Sequence, residues 1–487
     1  MSDPVRQNHE RVTRRTLFGR GAQGIGTLAL ASLMRPASGA GPSGGPTGGP
    51  GAAAAAHAKP AAKRMVCLWQ GGGPSHLDLF DYKPTLARLA GQDIPDSVRG
   101  GTRLSTMSSG YKRWPAVPAI KPFNRYGQSG LQLSSLLPHT GAIADEVCVV
   151  RSMHTEAVNH APGVTFFMTG SQTPGRPSLG AWLVYGLGSE TADLPAFVVM
   201  TSSDKGKTCG QLFYDYYWGA GFLPTRYQGV RFRSVGDPVP YLRNPAGVSV
   251  EARRALLDDL QAINREHLAA YGDPEIDTRI TQYEMAFRMQ ASVPDLLDFS
   301  KEPKHVLDLY GPDALTKGTF ANNCLIARRL LERGVRFVQL MHAGWDQHGN
   351  LFTQLAEQCR DTDQPSAGLV TDLRQRGLLD DTVVYWGGEF GRTPFGQGDP
   401  NKPAGRDHFG RAFSVWLAGG GVRKGHAHGE TDDFAWNISR DGVHIHDMQA
   451  TLLHLMGMDH ERLTFRYQGR QFRLSDVHGE VVRGVLA

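Results

Sequence analysis

The stretch "VRFVQLMHAGWDQHGN", residues 335–350, decides the fold. Val335–Met341 is an apolar, strand-length run, and it breaks abruptly into a polar turn that places Asp346 and His348 two positions apart. Five further runs share its length and β-branched character: "MVCLW" (65–69), "VCVV" (147–150), "AFVVM" (196–200), "TVVYW" (382–386) and "FSVWLAG" (413–419). Helical patterns separate them, over 162–169, 320–333, 351–377 and 446–456. In the first of these, Pro162 suits the opening helical position and Gly170 the stop. Strands alternating with helices predict a mostly parallel sheet covered on both faces.

The chain has 487 residues, 40% of them hydrophobic, enough for a large core in one α/β domain with insertions or in two lobes. Between about 201 and 320 the pattern changes to an aromatic, Gly-rich stretch and then to long helical periodicity, which predicts an insertion packed against the main body. The net charge of +5 is small for this length, and no basic stripe interleaved with aromatics follows the N-terminus, so nucleic acid is not an expected partner. No later apolar run is long enough to span a bilayer.

The first forty residues differ in kind. Arg14 and Arg15, with Thr13, Leu17 and Phe18, precede a weakly apolar stretch and small residues at Ala37–Ala40. That arrangement resembles a twin-arginine signal, which predicts export to the periplasm or beyond. Residues 41–63 are Gly/Pro/Ala-rich and read as a disordered linker, so folded sequence is expected from Arg64. The five cysteines (Cys67, Cys148, Cys209, Cys324 and Cys359) form no Cys-x-x-Cys pair and are expected to be mostly buried thiols, with room for one bridge.

The chemistry-bearing residues follow the strands: "QGGGPSHLDLFD" (70–81), "RSMHTEAVNHAPG" (151–163), "HAGWDQHGN" (342–350) and "GGEFGRTP" (387–394). In an open parallel sheet, ligands bind beyond the carboxyl ends of the strands, so these loops are expected to meet at one edge. That edge would carry His76, Asp78, His154, His160, His342, Asp346, His348 and Glu389, with Asp407 and His408 from the nearby "GRDHFG". Such a set suits a divalent metal, zinc in particular, as one ion or two, with calcium or magnesium as alternatives. Arg392 has the fork geometry for an oxyanion, or for pairing with a structural carboxylate. The pairs His426/His428 and His444/His446 are weaker chelation candidates, since "GHAHG" reads as a polar loop and "HIHD" opens a helix.

The motifs "GGGPSHLDLFDYKP", "NHAP", "GWDQHGN", "GGEFGRTP", "GRDHFG" and the closing "HIHDMQATLLHLMGMDHERLTFRYQGRQFRLSDVHG" together resemble the domain-of-unknown-function 1501 family over nearly the whole chain after the linker. That family is similar to the alkaline phosphatase and sulfatase superfamily. The resemblance implies an alkaline-phosphatase-like three-layer α/β sandwich with a mostly parallel central sheet and a metal-dependent hydrolase of phosphate or sulfate esters. The implied partner is an anionic ester or polysaccharide.

By the same resemblance, Asp346, His348 and His408 would hold one metal, and Glu389, His160, Asp78 or His76 another. "HAPGVTFFMTGSQTP" aligns with the sulfatase nucleophile segment, with His160 on the nucleophile position and Val164 on the usual Arg. Three roles for His160 stay open: a covalent nucleophile, a metal ligand beside metal-activated water, or a relic in a protein that only binds. Thr155 and Thr165 are lesser nucleophile candidates. Catalytic roles are expected of His160 and Arg392.

Overall fold

The inner strands of the central sheet bury both faces, and period-two alternation divides their side chains between two cores. Along the first strand, β1 (Arg64–Gly71), Val66 and Leu68 join one core while Met65, Cys67 and Trp69 join the other. A computed structural model describes residues 56–487 apart from 103, 204–212, 234, 240–241 and 398–403. The expected signal at 1–40 and Cys209 lie outside the described residues.

In chain order the other strands of the central sheet and of the site are β2 (Val147–His154), β3 (Phe197–Ser203), β4 (Val230–Phe232), β5 (Phe337–Ala343), β6 (Thr382–Gly387), β7 (Gly391–Arg392), β8 (His408–Phe409), β9 (Phe413–Gly419), β10 (His426–His428) and β11 (Val443–His444). The main helices are α1 (His160–Thr169), α2 (Leu179–Leu187), α3 (Val250–Tyr271), α4 (Pro274–Leu296), α5 (Phe320–Glu332), α6 (Leu351–Gln375) and α7 (Ile445–Leu455).

The sheet runs β10-β2-β9-β6-β1-β5-β3-β4, with β11 also on β2. Only β9 is antiparallel to its neighbours. Leu325, Leu330, Leu355 and Leu369 of α5 and α6 cover one face, and Phe167, Trp182 and Leu452 of α1, α2 and α7 cover the other. This is the three-layer, mostly parallel α/β arrangement expected.

Three details differ from the sequence expectations. The last linker residues are ordered, because Ala58, Ala61 and Ala62 donate backbone hydrogen bonds to Gly457 and Leu455 at the end of α7. The insertion packs against the main body as expected, with Tyr217 and Trp218 buried in the core beside α1 and α2, but its Val230–Phe232 also adds an edge strand parallel to β3. "GHAHG" is an edge strand on β2, not a loop. Among the described residues Cys67, Cys148, Cys324 and Cys359 are free and buried.

Strand order sets up the site. β6, β1 and β5 are adjacent and level at their carboxyl ends, with Trp69 opposite both Met341 and Gly387. β2 runs in the same direction one strand beyond β9, so its end lies on that edge too. Because β9 runs the other way, the segment entering it, with His408, arrives at the same edge.

A candidate metal centre at the strand ends

Four side chains converge there. The ligating atoms of His160, Asp346, His348 and His408 all lie within 4.8 Å of one another. Asp346 Oδ1 is the hub: His348 Nε2 is 2.8 Å away, His160 Nε2 3.1 Å and His408 Nε2 3.3 Å. Asp346 and His348 follow β5, His160 opens α1 after β2, and His408 precedes β9.

Close backbone approach makes this possible. Gly72 sits at φ +116°, and a Cβ there would lie 2.6 Å from Asp346 N; a Cβ on Gly405 would lie 2.0 Å from the carbonyl carbon of His348. Only glycine lets the β1 loop and the approach to β8 press against "GWDQHGN". α1 begins at His160, two residues before the expected start, and Pro162 falls in the first turn, where its missing N–H costs no helical bond. The turn before His408 is held by Asp407, which accepts from Ser105 Oγ at 2.5 Å, from Ser108 Oγ, and from the His408 backbone N–H at 2.7 Å.

Each imidazole is oriented through its far nitrogen. Nδ1 of His160 lies 2.5 Å from Glu389 Oε1, Nδ1 of His348 2.5 Å from Gln397 Oε1, and Nδ1 of His408 3.0 Å from the Val158 carbonyl. All three partners are acceptors, so each Nδ1 carries the proton and each Nε2 lone pair faces the hub. Nε2 of His408 and His348 stand only 3.1 Å apart, and Nε2 of His160 is buried without a hydrogen-bond partner. Lone pairs brought together around a carboxylate oxygen repel unless positive charge sits between them, so this donor set fits a cation.

The two carboxylates, Asp346 and Glu389, make the cluster a place that draws positive charge. Burial pushes the Asp346 carboxyl up, but the three imidazoles packed around it and the charge of Arg392 hold it far below the usual range. Burial pulls His160 down, yet the carboxylates of Asp346 and Glu389 outweigh it and leave the imidazole raised. His408 is lowered to about 4, chiefly by burial and then by the Arg392 charge against the pull of Asp346. The opening to solvent is at His348, 26% exposed, and His160, 13%.

Several expected residues take other positions. Glu389 is buried behind His160, with Oε1 also accepting the Gly72 N–H at 2.9 Å, so it orients a ligand from outside the four-residue cluster. Asp78 stands apart because Arg406 holds it: Nε is 2.8 Å from Oδ2, Ser75 Oγ and the Ile120 N–H take the remaining lone pairs, and both charged side chains are fully buried. His76 is buried beneath Gly391, where a Cβ would lie 2.6 Å from its Nδ1, and burial lowers it to about 3. Arg392 is spent on the carbonyls of Gly72, Gly73, Trp345 and Arg406 and on Asp346 Oδ1 at 2.6 Å, which leaves its fork closed to a substrate oxyanion.

The His154 ring packs tilted against His444, with centroids 5.2 Å apart, and His444 caps α7 through a capping box with Asp447. His342 bonds Ser202 and Gln358. Thr165 Oγ1 donates to the Ala161 carbonyl and Thr155 Oγ1 accepts the Ala157 N–H. Sequence reasoning passed over Gln397, the Val158 carbonyl and Arg406, because a lone Gln in "PFGQG" and a main-chain oxygen carry no local chemical signal.

A family model described as "Protein of unknown function (DUF1501)" matches residues 62–486. No curated protein matches. Solved structures similar to the chain include a lipoteichoic acid synthase, LtaP, from Listeria monocytogenes, at 9% identity over 85% of this chain and 74% of that one, TM-score 0.34. A sulfatase from Pseudoalteromonas sp. is 12% identical over 82% and 68%, TM-score 0.34, and an alkaline phosphatase from the Antarctic bacterium TAB5 is 10% identical over 82% and 99%, TM-score 0.31. Likeness at this level does not bear on the chemistry of the site.

Proposed function

The chain belongs to the DUF1501 family, and on that premise we propose that it is a metal-dependent hydrolase of phosphate or sulfate esters, with one divalent ion held by His160, Asp346, His348 and His408. The observation that carries this reading is the convergence of three Nε2 lone pairs on one carboxylate oxygen, each aimed by an acceptor on the opposite nitrogen. Three imidazoles and a carboxylate favour zinc among the common ions. A bound ion of this kind supplies Lewis-acid polarisation of a phosphoryl or sulfuryl oxygen and acidifies water.

The chain's own residues supply the rest. His160 is the first residue of a ten-residue helix, so the free N–H groups and positive dipole end of α1 face the cluster and favour an anionic ester. Both nitrogens of His160 are engaged, one by Glu389 and the other toward the hub, which supports a ligand rather than a covalent nucleophile. Arg392 fixes Asp346. A second reading, a non-catalytic binder of sulfated or phosphorylated polysaccharide, draws on the absence of any Ser, Thr or Cys at residue 160 and on the commitment of Arg392. Export by a twin-arginine route, read from Arg14 and Arg15, remains part of the proposal and would place either activity outside the cytoplasm.

Metal analysis of protein purified without chelator, joined to a screen of phosphate and sulfate esters for wild type and His348→Ala, tests it. About one equivalent of metal, lost together with turnover in His348→Ala, is expected. Metal retained without turnover on any ester would select the binding reading, and a chain that takes up no metal would overturn the metal-dependent hydrolase.

A further inference from the structure

Among the described residues Met107 is the one exposed methionine, at 43%; every other is buried except Met285, which is half-buried. Oxidants that attack thioethers should therefore find Met107 first. Its sulfur also lies where oxidation has a consequence. Gln397 Nε2 donates to Met107 Sδ at 3.7 Å, and Oε1 of the same amide accepts from His348 Nδ1 at 2.5 Å. Both ends of this relay are fixed. Met107 lies between Ser105 and Ser108, whose hydroxyls bond the Asp407 carboxylate beside His408. The Gln397 backbone exchanges hydrogen bonds with Gly405 in both directions, at 2.9 and 3.0 Å. With that backbone pinned, the amide can turn over but not move away. As it stands, its N–H faces the sulfur, a weak acceptor. Turned over, its carbonyl oxygen would meet the sulfur lone pairs, and its N–H would meet His348 Nδ1, shifting that ring's proton to Nε2, where the lone pair for a metal is needed.

We propose that Met107 is a positioning residue for His348 and a site of reversible oxidation to the sulfoxide, which tightens the hold on the metal; this rests on the metal-centre reading above. The oxidant is hydrogen peroxide. A sulfur lone pair attacks one peroxide oxygen, the S–O bond forms as the O–O bond breaks, and the departing hydroxide takes the proton of the transferred hydroxyl and leaves as water. The sulfur loses two electrons and the peroxide gains them; reductases that act on methionine sulfoxide restore the thioether. The sulfoxide oxygen is a far better acceptor than the thioether sulfur, and the 3.7 Å between Sδ and Nε2 leaves it room to take the amide N–H at ordinary hydrogen-bond distance. The gain is about that of one neutral hydrogen bond, so the amide orientation that aims His348 is favoured roughly threefold to tenfold more strongly.

Hydrogen peroxide applied to the metal-free full chain tests this, with peptide mass mapping, the imidazole nitrogen NMR shifts of His348, and zinc titration against a competing chelator. One oxygen gained at Met107 ahead of the buried methionines is expected, with zinc affinity raised roughly threefold to tenfold. Met107→Leu should keep the fold by circular dichroism, weaken zinc about threefold, show His348 partly protonated at Nε2, and lose the response to peroxide. Oxidation of Met107 that leaves the His348 shifts and the zinc affinity unchanged, or lowers that affinity, overturns the proposal, and so does Met107→Leu behaving as wild type. The shifts are read without metal, so a chain that takes up no zinc would sink the hydrolase while the His348 tautomer still tests the relay.

Discussion

Glu389→Gln separates two roles for the carboxylate behind His160. As a metal ligand its loss would remove a first contact to the ion; as an orienting group it acts only through His160. The geometry favours the second, since Oε1 lies 2.5 Å from His160 Nδ1 and 2.9 Å from the Gly72 nitrogen. A glutamine carbonyl keeps both bonds and loses the charge. Hydrogen bonds to charged groups contribute about 1.5–3 kcal/mol and neutral ones about 0.5–1.5 kcal/mol, so the substitution costs about 1.4 kcal/mol, or roughly tenfold in metal affinity. That falls within the ~10–100-fold range for groups that hold a ligand in place. The assay is zinc titration against a competing chelator, with circular dichroism to verify the fold. An affinity unchanged from wild type would remove Glu389 from the design of the site. A loss far beyond a hundredfold would return it to the ligand set.

Two further outcomes follow from buried groups near that edge. Asp78→Asn leaves the Arg406 guanidinium buried without its carboxylate, which should cost about 3 kcal/mol in denaturant unfolding while zinc affinity holds; a fall in affinity with stability intact would reinstate Asp78 as a ligand. His342 is lowered to about 4 by burial, against the opposing hydrogen bond to Gln358. Between its ordinary 6.5 and about 4 the unfolded chain binds a proton that the folded chain does not, so the stability this group contributes is complete above pH 6.5 and falls as pH drops through that window, by up to about 3 kcal/mol. Unfolding midpoints at pH 7 and 5 for wild type and His342→Gln check the sign, and equal slopes for the two proteins would refute it.

What could be read from the chain alone was whatever is written locally. Strand-length β-branched runs such as Val335–Met341 and Thr382–Trp386, and the helical patterns between them, carry their period in adjacent residues, so the layered sheet and the edge where chemistry collects were legible before any coordinates. So were Asp346, His348 and His408, because each directly follows or precedes a strand at that edge.

The remainder depended on which loops become neighbours and at what distance. Tertiary structure brought His160 onto the same hub as Asp346, moved Glu389 behind it, and gave Asp78 to Arg406, a partner 328 residues away. It also recruited Gln397 and a main-chain oxygen as orienting acceptors. The physical reason is that a carboxylate or guanidinium buried away from water must satisfy its charge and hydrogen bonds with whatever the fold places within about 3 Å, and that choice is made by strand order and glycine-permitted backbone contact, neither of which leaves a periodic trace in the sequence.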